Sequence, residues 1–332
     1  MVESFGEALR RLRGSADISQ RELARRAYVS QTTLSRYESD RQTVDPSTAD
    51  KLDELLGADG ALRALLNPKT ASTTVLNPDD FGRLAYVAER PRAVDSSALG
   101  SLAAVLAESR RMEDTLGARA VLEPALGYFQ LLECLVVDAR GPLRPSVVSL
   151  AAQWAQFVGW LHAATEQSSA SCRWLDRATE WALEVSDSSM VATTLSLKGY
   201  NAWKVGQLGP MLGLSEAAQR SDRVSPGLRA MAAQQEARAH ALLGEADATD
   251  RKLDEATDLA ASIVPEDEPP WVYFYGPDFL QMQRGRAYRY LGRYQEAANL
   301  LAAGLDALPP EQRDAEWITS YRNDLGAVQS AL

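Results

Sequence analysis

Apolar residues near the start of the chain recur at helical spacing. Phe5, Leu9 and Leu12 predict a first amphipathic helix ending near Gly14. A second begins at Ser19, where Ser19 and Glu22 form a capping box: the hydroxyl accepts an amide three residues on and the carboxylate reaches back. Leu23, Ala24 and Ala27 then turn inward. Tyr28 and Val29 break this helix, and Ser30 caps a third running to about Ser39. Leu34 and Tyr37 face its core side, which leaves Gln31, Thr32, Ser35 and Arg36 on the open side. Asp45 followed by Pro46 starts a fourth helix that runs to Gly57, and Asp59 caps a fifth that ends before Asn67 and Pro68.

The segment NPKTASTTVLNPDD (67–80) is polar, small and bounded by proline, so it reads as a linker. Beyond it the alternation of a strand is missing. Long amphipathic runs take over, as in SLAAVLAESRRMEDTLGARAVLEPALGYFQLLECLVV, and the predicted fold class is all-α. A chain of 332 residues with 45% hydrophobic residues is long enough for two or three domains.

Charge adds a second layer. The net charge is −10, which argues against nucleic acid coating the whole chain. Residues 10–41 nevertheless hold eight arginines (10, 11, 13, 21, 25, 26, 36 and 41) against four acids, a basic island suited to phosphates. Cys134 and Cys172 are the only cysteines, and His162 and His240 the only histidines, none in a metal-ligand motif. No apolar run resembles a signal peptide, and none of about 18 residues is expected to span a bilayer. The expectation is a reduced, cytoplasmic protein that needs no cofactor, no metal and no membrane.

Two short helices joined by a tight turn make a helix-turn-helix. The stretch LRRLRGSADISQRELARRAYVSQTTLSRYESDR resembles the Xre/phage-repressor class of DNA-binding domains over about residues 4–66, with Ser19, Gln20, Leu23, Ala24, Val29, Ser30, Gln31, Leu34 and Glu38 in register. The resemblance implies double-stranded DNA as partner, with the third helix in the major groove. Gln31, Thr32 and Arg36 would then face base edges, with Thr33 and Ser35 beside them, while Gln20 and Arg41 hold phosphates. Arg13 and Glu38 match a buried ion pair of that class. Tyr28 departs from the pattern, which usually has glycine there; a left-handed conformation at that residue costs roughly 1–2 kcal/mol. The residue types suit base reading, since Arg clasps guanine and Gln pairs with adenine at about 1–3 kcal/mol of discrimination each.

The second half contains a repeating pattern. Gly159, Gly199, Ala237 and Gly285 serve as anchors; seven residues after the last three come Gly206, Gly244 and Gly292, and nineteen after all four come Ala178, Ala218, Ala256 and Gly304. The unit GRAYRYLGRYQEAANLLAAGLDALP resembles a tetratricopeptide repeat, with Gly285, Tyr288, Gly292, Tyr294, Ala297 and Pro309 in signature places. The other units are degenerate: Glu166 replaces the first turn glycine, and Met211 and Thr249 stand where Ala297 is small. Anchor spacings of 40, 38 and 48 exceed the usual period of about 34.

The resemblance covers roughly 145–332 and implies a helical-repeat superhelix. Its concave face would be lined by the first helix of each pair: Gln153, Gln156, Trp160, Ser196, Tyr200, Trp203, Lys204, Gln234, Arg238, Met282, Arg286 and Arg289. Amides, aromatics and cations together suit a peptide, although aromatics at helical spacing equally suit a core. PEDEPPWVYFYGPDF (265–279) is an irregular aromatic insertion, read as a packed loop in preference to a lid. Residues 81–144 are left as connecting helices and a candidate dimerisation surface.

A DNA-reading head on a helical-repeat body resembles actinobacterial Xre-type regulators and, more distantly, the Gram-positive peptide-sensing regulators. The expectation is a transcription regulator that acts as a homodimer on a palindromic operator, with a peptide or small molecule as candidate effector. The alternative is a DNA-tethered adaptor whose repeats bind a partner protein. An enzyme is not expected: the chain has no P-loop, no Ser/His/Asp or Cys/His grouping and no metal cluster.

Overall fold

The computed structural model describes residues 5–16, 18–27, 29–39, 44, 46–58, 62, 78–308, 313 and 315–332, and among these the secondary structure is helical with no strand. The chain divides into two compact units, Met1–Val75 and Leu76–Leu332.

The first unit holds α1 (Phe5–Ser15), α2 (Gln20–Arg26), α3 (Gln31–Tyr37) and α4 (Pro46–Leu56). Both short helices are capped as the sequence predicts: Ser19 Oγ accepts from the Glu22 amide and Ser30 Oγ from the Thr33 amide. The reciprocal half of the box does not form. Glu22 turns to Arg25 and Arg26 at 2.7 and 2.8 Å, because two guanidinium groups outcompete one amide and hold its carboxyl down at about 2. Ala8, Leu9, Leu23, Ala24, Ala27, Leu34, Tyr37, Val44, Ala49, Leu52 and Leu62 make the core. Leu62 is tied in by its amide, which donates to Asp53 Oδ1 at 2.9 Å. The rest of the expected fifth helix, Asp59, Tyr28, Asp45, Pro309 and nearly all of the 67–80 linker lie outside the described residues.

The second unit runs through α5 (Pro78–Glu89), α6 (Ser96–Leu116), α7 (Ala118–Asp138), α8 (Arg144–Ala164), α9 (Ser168–Glu184), α10 (Ser188–Lys204), α11 (Leu208–Ala218), α12 (Pro226–Leu242), α13 (Ala246–Ala261), α14 (Pro277–Tyr290), α15 (Tyr294–Ala307) and α16 (Thr319–Ala331). Successive helices pack as pairs, α8 on α9, α10 on α11, α12 on α13 and α14 on α15. The anchors explain the close approach. A Cβ at Gly159 would lie 2.9 Å from Leu175, and one at Gly304 would lie 2.6 Å from Met282. Helices α5–α7 do more than connect: Leu84, Leu102, Leu106, Val121, Phe129 and Leu132 share one core with Val148, Trp154 and Trp181.

Helix α7 is long and apolar enough to cross a bilayer by length and composition, with mean hydropathy 1.5, which corrects the expectation that no such stretch exists. Its buried residues Val121, Ala125, Phe129, Leu132 and Leu135 follow helical spacing into the core, while Arg119, Glu123 and Gln130 are exposed. That pattern is an amphipathic core helix.

Candidate functional site

Helix α3 is seven residues long and is held from beneath. Leu34 and Tyr37 are buried, and Gln31, Thr32, Ser35 and Arg36 are exposed on the other side. Thr33 is half-buried, with its hydroxyl against Ser30 Oγ at 2.7 Å, so it belongs to the cap. At the end of α3, Glu38 is 4% exposed and collects donors from α1 and α2. Arg13 Nε and Nη2 reach its carboxylate at 2.5 and 3.2 Å, Gln20 Nε2 donates to it at 2.8 Å, and Arg10 donates to its carbonyl at 2.6 Å. The Arg13–Glu38 pair implied by resemblance is present, and Gln20 is joined to it.

This network changes the reading of the basic island. Arg10 and Arg13 serve Glu38, and Arg25 and Arg26 serve Glu22. Arg21 and Arg36 make no ion pair or side-chain hydrogen bond among the described residues, and Arg41 lies outside them. Eight arginines in the sequence therefore overstate the charge offered to a phosphate backbone.

In the second unit the residues assigned to a concave face separate into groups. Trp160, Tyr200 and Trp203 form a half-buried ladder, with ring centroids 5.8 and 5.4 Å apart. Arg238 lies over Trp203 at 4.5 Å and Arg286 over the same ring at 5.7 Å. Arg286 and Arg289 both bind Asp324, the latter at 3.2 Å. Gln156 and Gln234 are buried, and the Gln156 carbonyl oxygen has no hydrogen-bond partner. Gln153 is half-buried. Lys204 stands apart, exposed and 3.6 Å from Glu166. Met282 is fully buried in the C-terminal core and lines nothing; Gly304 leaves the room it fills.

Sequence reasoning missed several members. Gln283 accepts from Arg238 and donates to the Tyr321 hydroxyl at 2.5 Å, and the Tyr321 ring lies 4.0 Å under Arg286. Tyr321 and Asp324 come from α16, beyond the last repeat. Their only signal is that they stand three apart, as Arg286 and Arg289 do.

The insertion is packed, as read. Trp271, Val272 and Tyr275 are buried, and Trp271 Nε1 donates to Thr193 at 2.9 Å. Glu268 takes the Gly227 amide at 2.7 Å, capping α12, and the Tyr273 hydroxyl donates to Asp114 at 2.6 Å. At this end Glu113 is pushed up to about 7, by burial first and by the Asp114 charge next, and a Trp160 hydrogen bond pulls it back only in part.

Residues 4–66 match the family described as "Helix-turn-helix domain". No curated protein matches the chain. Among solved structures, a crystal structure of Bacillus thuringiensis PlcR in complex with the peptide PapR7 and DNA is similar at 11% identity, over 98% of this chain and 99% of that one, with a TM-score of 0.47. With its capped α2 and α3 around the Glu38 network, the N-terminal segment 4–66 is a helix-turn-helix domain, and the fold is this domain followed by a helical-repeat unit.

Proposed function

We propose that the chain is a sequence-specific DNA-binding transcription regulator. Helix α3 enters the major groove with Gln31, Thr32 and Arg36 toward base edges and Thr33 and Ser35 at its shoulder; Gln20 and Arg41 hold phosphates. The observation that carries this reading is the exposed polar face of α3, where Arg36 stands unpaired among the described residues although Arg25 and Arg26 are engaged with Glu22. Gln20 spends one amide hydrogen on Glu38 and retains a second for a phosphate.

One such head makes few base contacts, so a homodimer on a palindromic operator supplies specificity, with half-sites about one helical turn apart. Exposed Tyr86, Met112, Leu116 and Val137, all within 81–144, support that segment as the dimer surface. The repeats bind a peptide or small-molecule effector along the face of Gln153, Gln156, Trp160, Tyr200, Trp203, Lys204, Gln234, Arg238, Arg286 and Arg289, and binding alters DNA affinity. A reader of chromosomal DNA works in the cytoplasm.

Footprinting on the protein's own promoter, followed by binding titrations, tests the reading. Arg36→Ala is expected to weaken the cognate site by about 1–3 kcal/mol and to relax preference at one base. An equal loss on random DNA would reject Arg36 as a base reader. Native mass spectrometry of protein from its own host is expected to show a dimer and a retained ligand.

A further inference from the structure

Arg238 is the most unusual charge in the repeat unit. It is 3% exposed, and one of its nitrogens donates to Gln283, while Nε and Nη1 are buried with no acceptor. A guanidinium has five N–H donors, and burying one without an anion is strongly unfavourable. The neighbouring charge is of the same sign: Arg286 shares the Trp203 ring with it. Three arginines meet here, and Asp324 is occupied by Arg286 and Arg289. Burial, and then Arg286, pull Arg238 below the usual guanidinium range, and the remaining groups that act on it are Tyr321, Tyr290 and Tyr200. Tyr275, brought in by the insertion, buries a hydroxyl that also has no partner, and it feels the Arg238 charge.

Spare charged donors, a second cation and an unused phenol hydroxyl are what an anion requires. On the open side the ladder of Trp203, Tyr200 and Trp160 offers a half-buried aromatic bed. We propose that Arg238 anchors an anion subsite on the inner face, and that its ligand is a carboxylate carried on an apolar or aromatic body. The carboxylate takes the free donors of Arg238, with Tyr275 as the neighbouring donor, and the body lies along Trp203, Tyr200 and Trp160. This rests on the effector reading of the inner face and narrows it to one chemical class.

The test uses the full chain and two probes that differ in one charge, N-acetylphenylalanine and N-acetylphenylalaninamide. Binding is read by tryptophan fluorescence and by Tm, with inorganic phosphate as a third arm. The acid is expected to bind at least tenfold more tightly than the amide. Arg238→Met loses that preference and, with no probe present, melts higher than the parent, because an apolar side chain replaces an unpaired buried charge. A purely structural Arg238 would melt lower on substitution. Should the methionine variant fail to fold, Arg238→Gln carries the same comparison, and Arg251→Met on α13 leaves the preference unchanged. Competition by phosphate with the same Arg238 dependence extends the subsite to phosphoryl ligands; no competition confines it to carboxylates. Equal binding of acid and amide, no binding of the acid, or a preference that survives loss of Arg238 overturns the proposal. A neutral ligand retained on protein from its own host would overturn the subsite and leave the effector reading standing; no retained ligand and no response to any probe would remove both.

Discussion

Glu38 shows how much one buried side chain decides. Its carboxylate binds Arg13 and Gln20, and Arg10 takes its carbonyl, so α1, α2 and the end of α3 meet on a single residue. Glu38→Ala leaves these donors without an acceptor, and unfolding of the N-terminal unit is expected to be about 2–4 kcal/mol easier in urea. Glu113 acts through protons. Its folded value of about 7 exceeds its ordinary 4.5, so between those pH values the native state binds more protons than the unfolded chain. Stability from this group therefore falls as pH rises from about 4.5 to about 7 and levels off above. The difference between parent and Glu113→Gln unfolding curves is expected to change by at most about 3 kcal/mol across that window, with the parent losing ground at the alkaline end. A difference flat with pH would show that Glu113 titrates normally.

At the scale of elements, the turns between paired helices repeat one backbone conformation. Gly206, Gly244 and Gly292 have φ of 74°, 78° and 74°, and Glu166 adopts 64° at the equivalent place between α8 and α9; Ser186, in the link from one pair to the next between α9 and α10, adopts 57°. A side chain costs roughly 1–2 kcal/mol there, part of which glycine returns to the unfolded chain as entropy. Glu166→Gly and Ser186→Gly are each expected to stabilise by about 0.5–1 kcal/mol in thermal unfolding, and to add because the turns are separate. The sequence marks Glu166 as the missing turn glycine, and helical periodicity locates α1 to α4 to within a residue or two. Ser186 was not legible, since a non-glycine turn leaves no compositional trace.

For the molecule as a whole, α16 closes the C-terminal end of the repeat unit. Tyr321 and Val328 are buried in the last core, and Asp324 holds Arg286 and Arg289. Ending the chain at residue 318 uncovers that core and strands two arginines. The last pair is expected to lose about 3–6 kcal/mol, seen as faster hydrogen exchange confined to α14 and α15. The insertion works the same way over distance: Tyr273 reaches Asp114 and Trp271 reaches Thr193, each far away along the chain.

The sequence alone determined the helices, the capped helix-turn-helix, the inward and outward sides of α3 and the repeat anchors, because these follow from local periodicity, capping and side-chain size. Only the tertiary structure decided which arginines are engaged, that residues 81–144 share the repeat core, and that α16 and the insertion reach the aromatic and arginine cluster. Those outcomes depend on partners dozens of residues apart, and no local spacing records which carboxylate a guanidinium will meet once the helices are stacked.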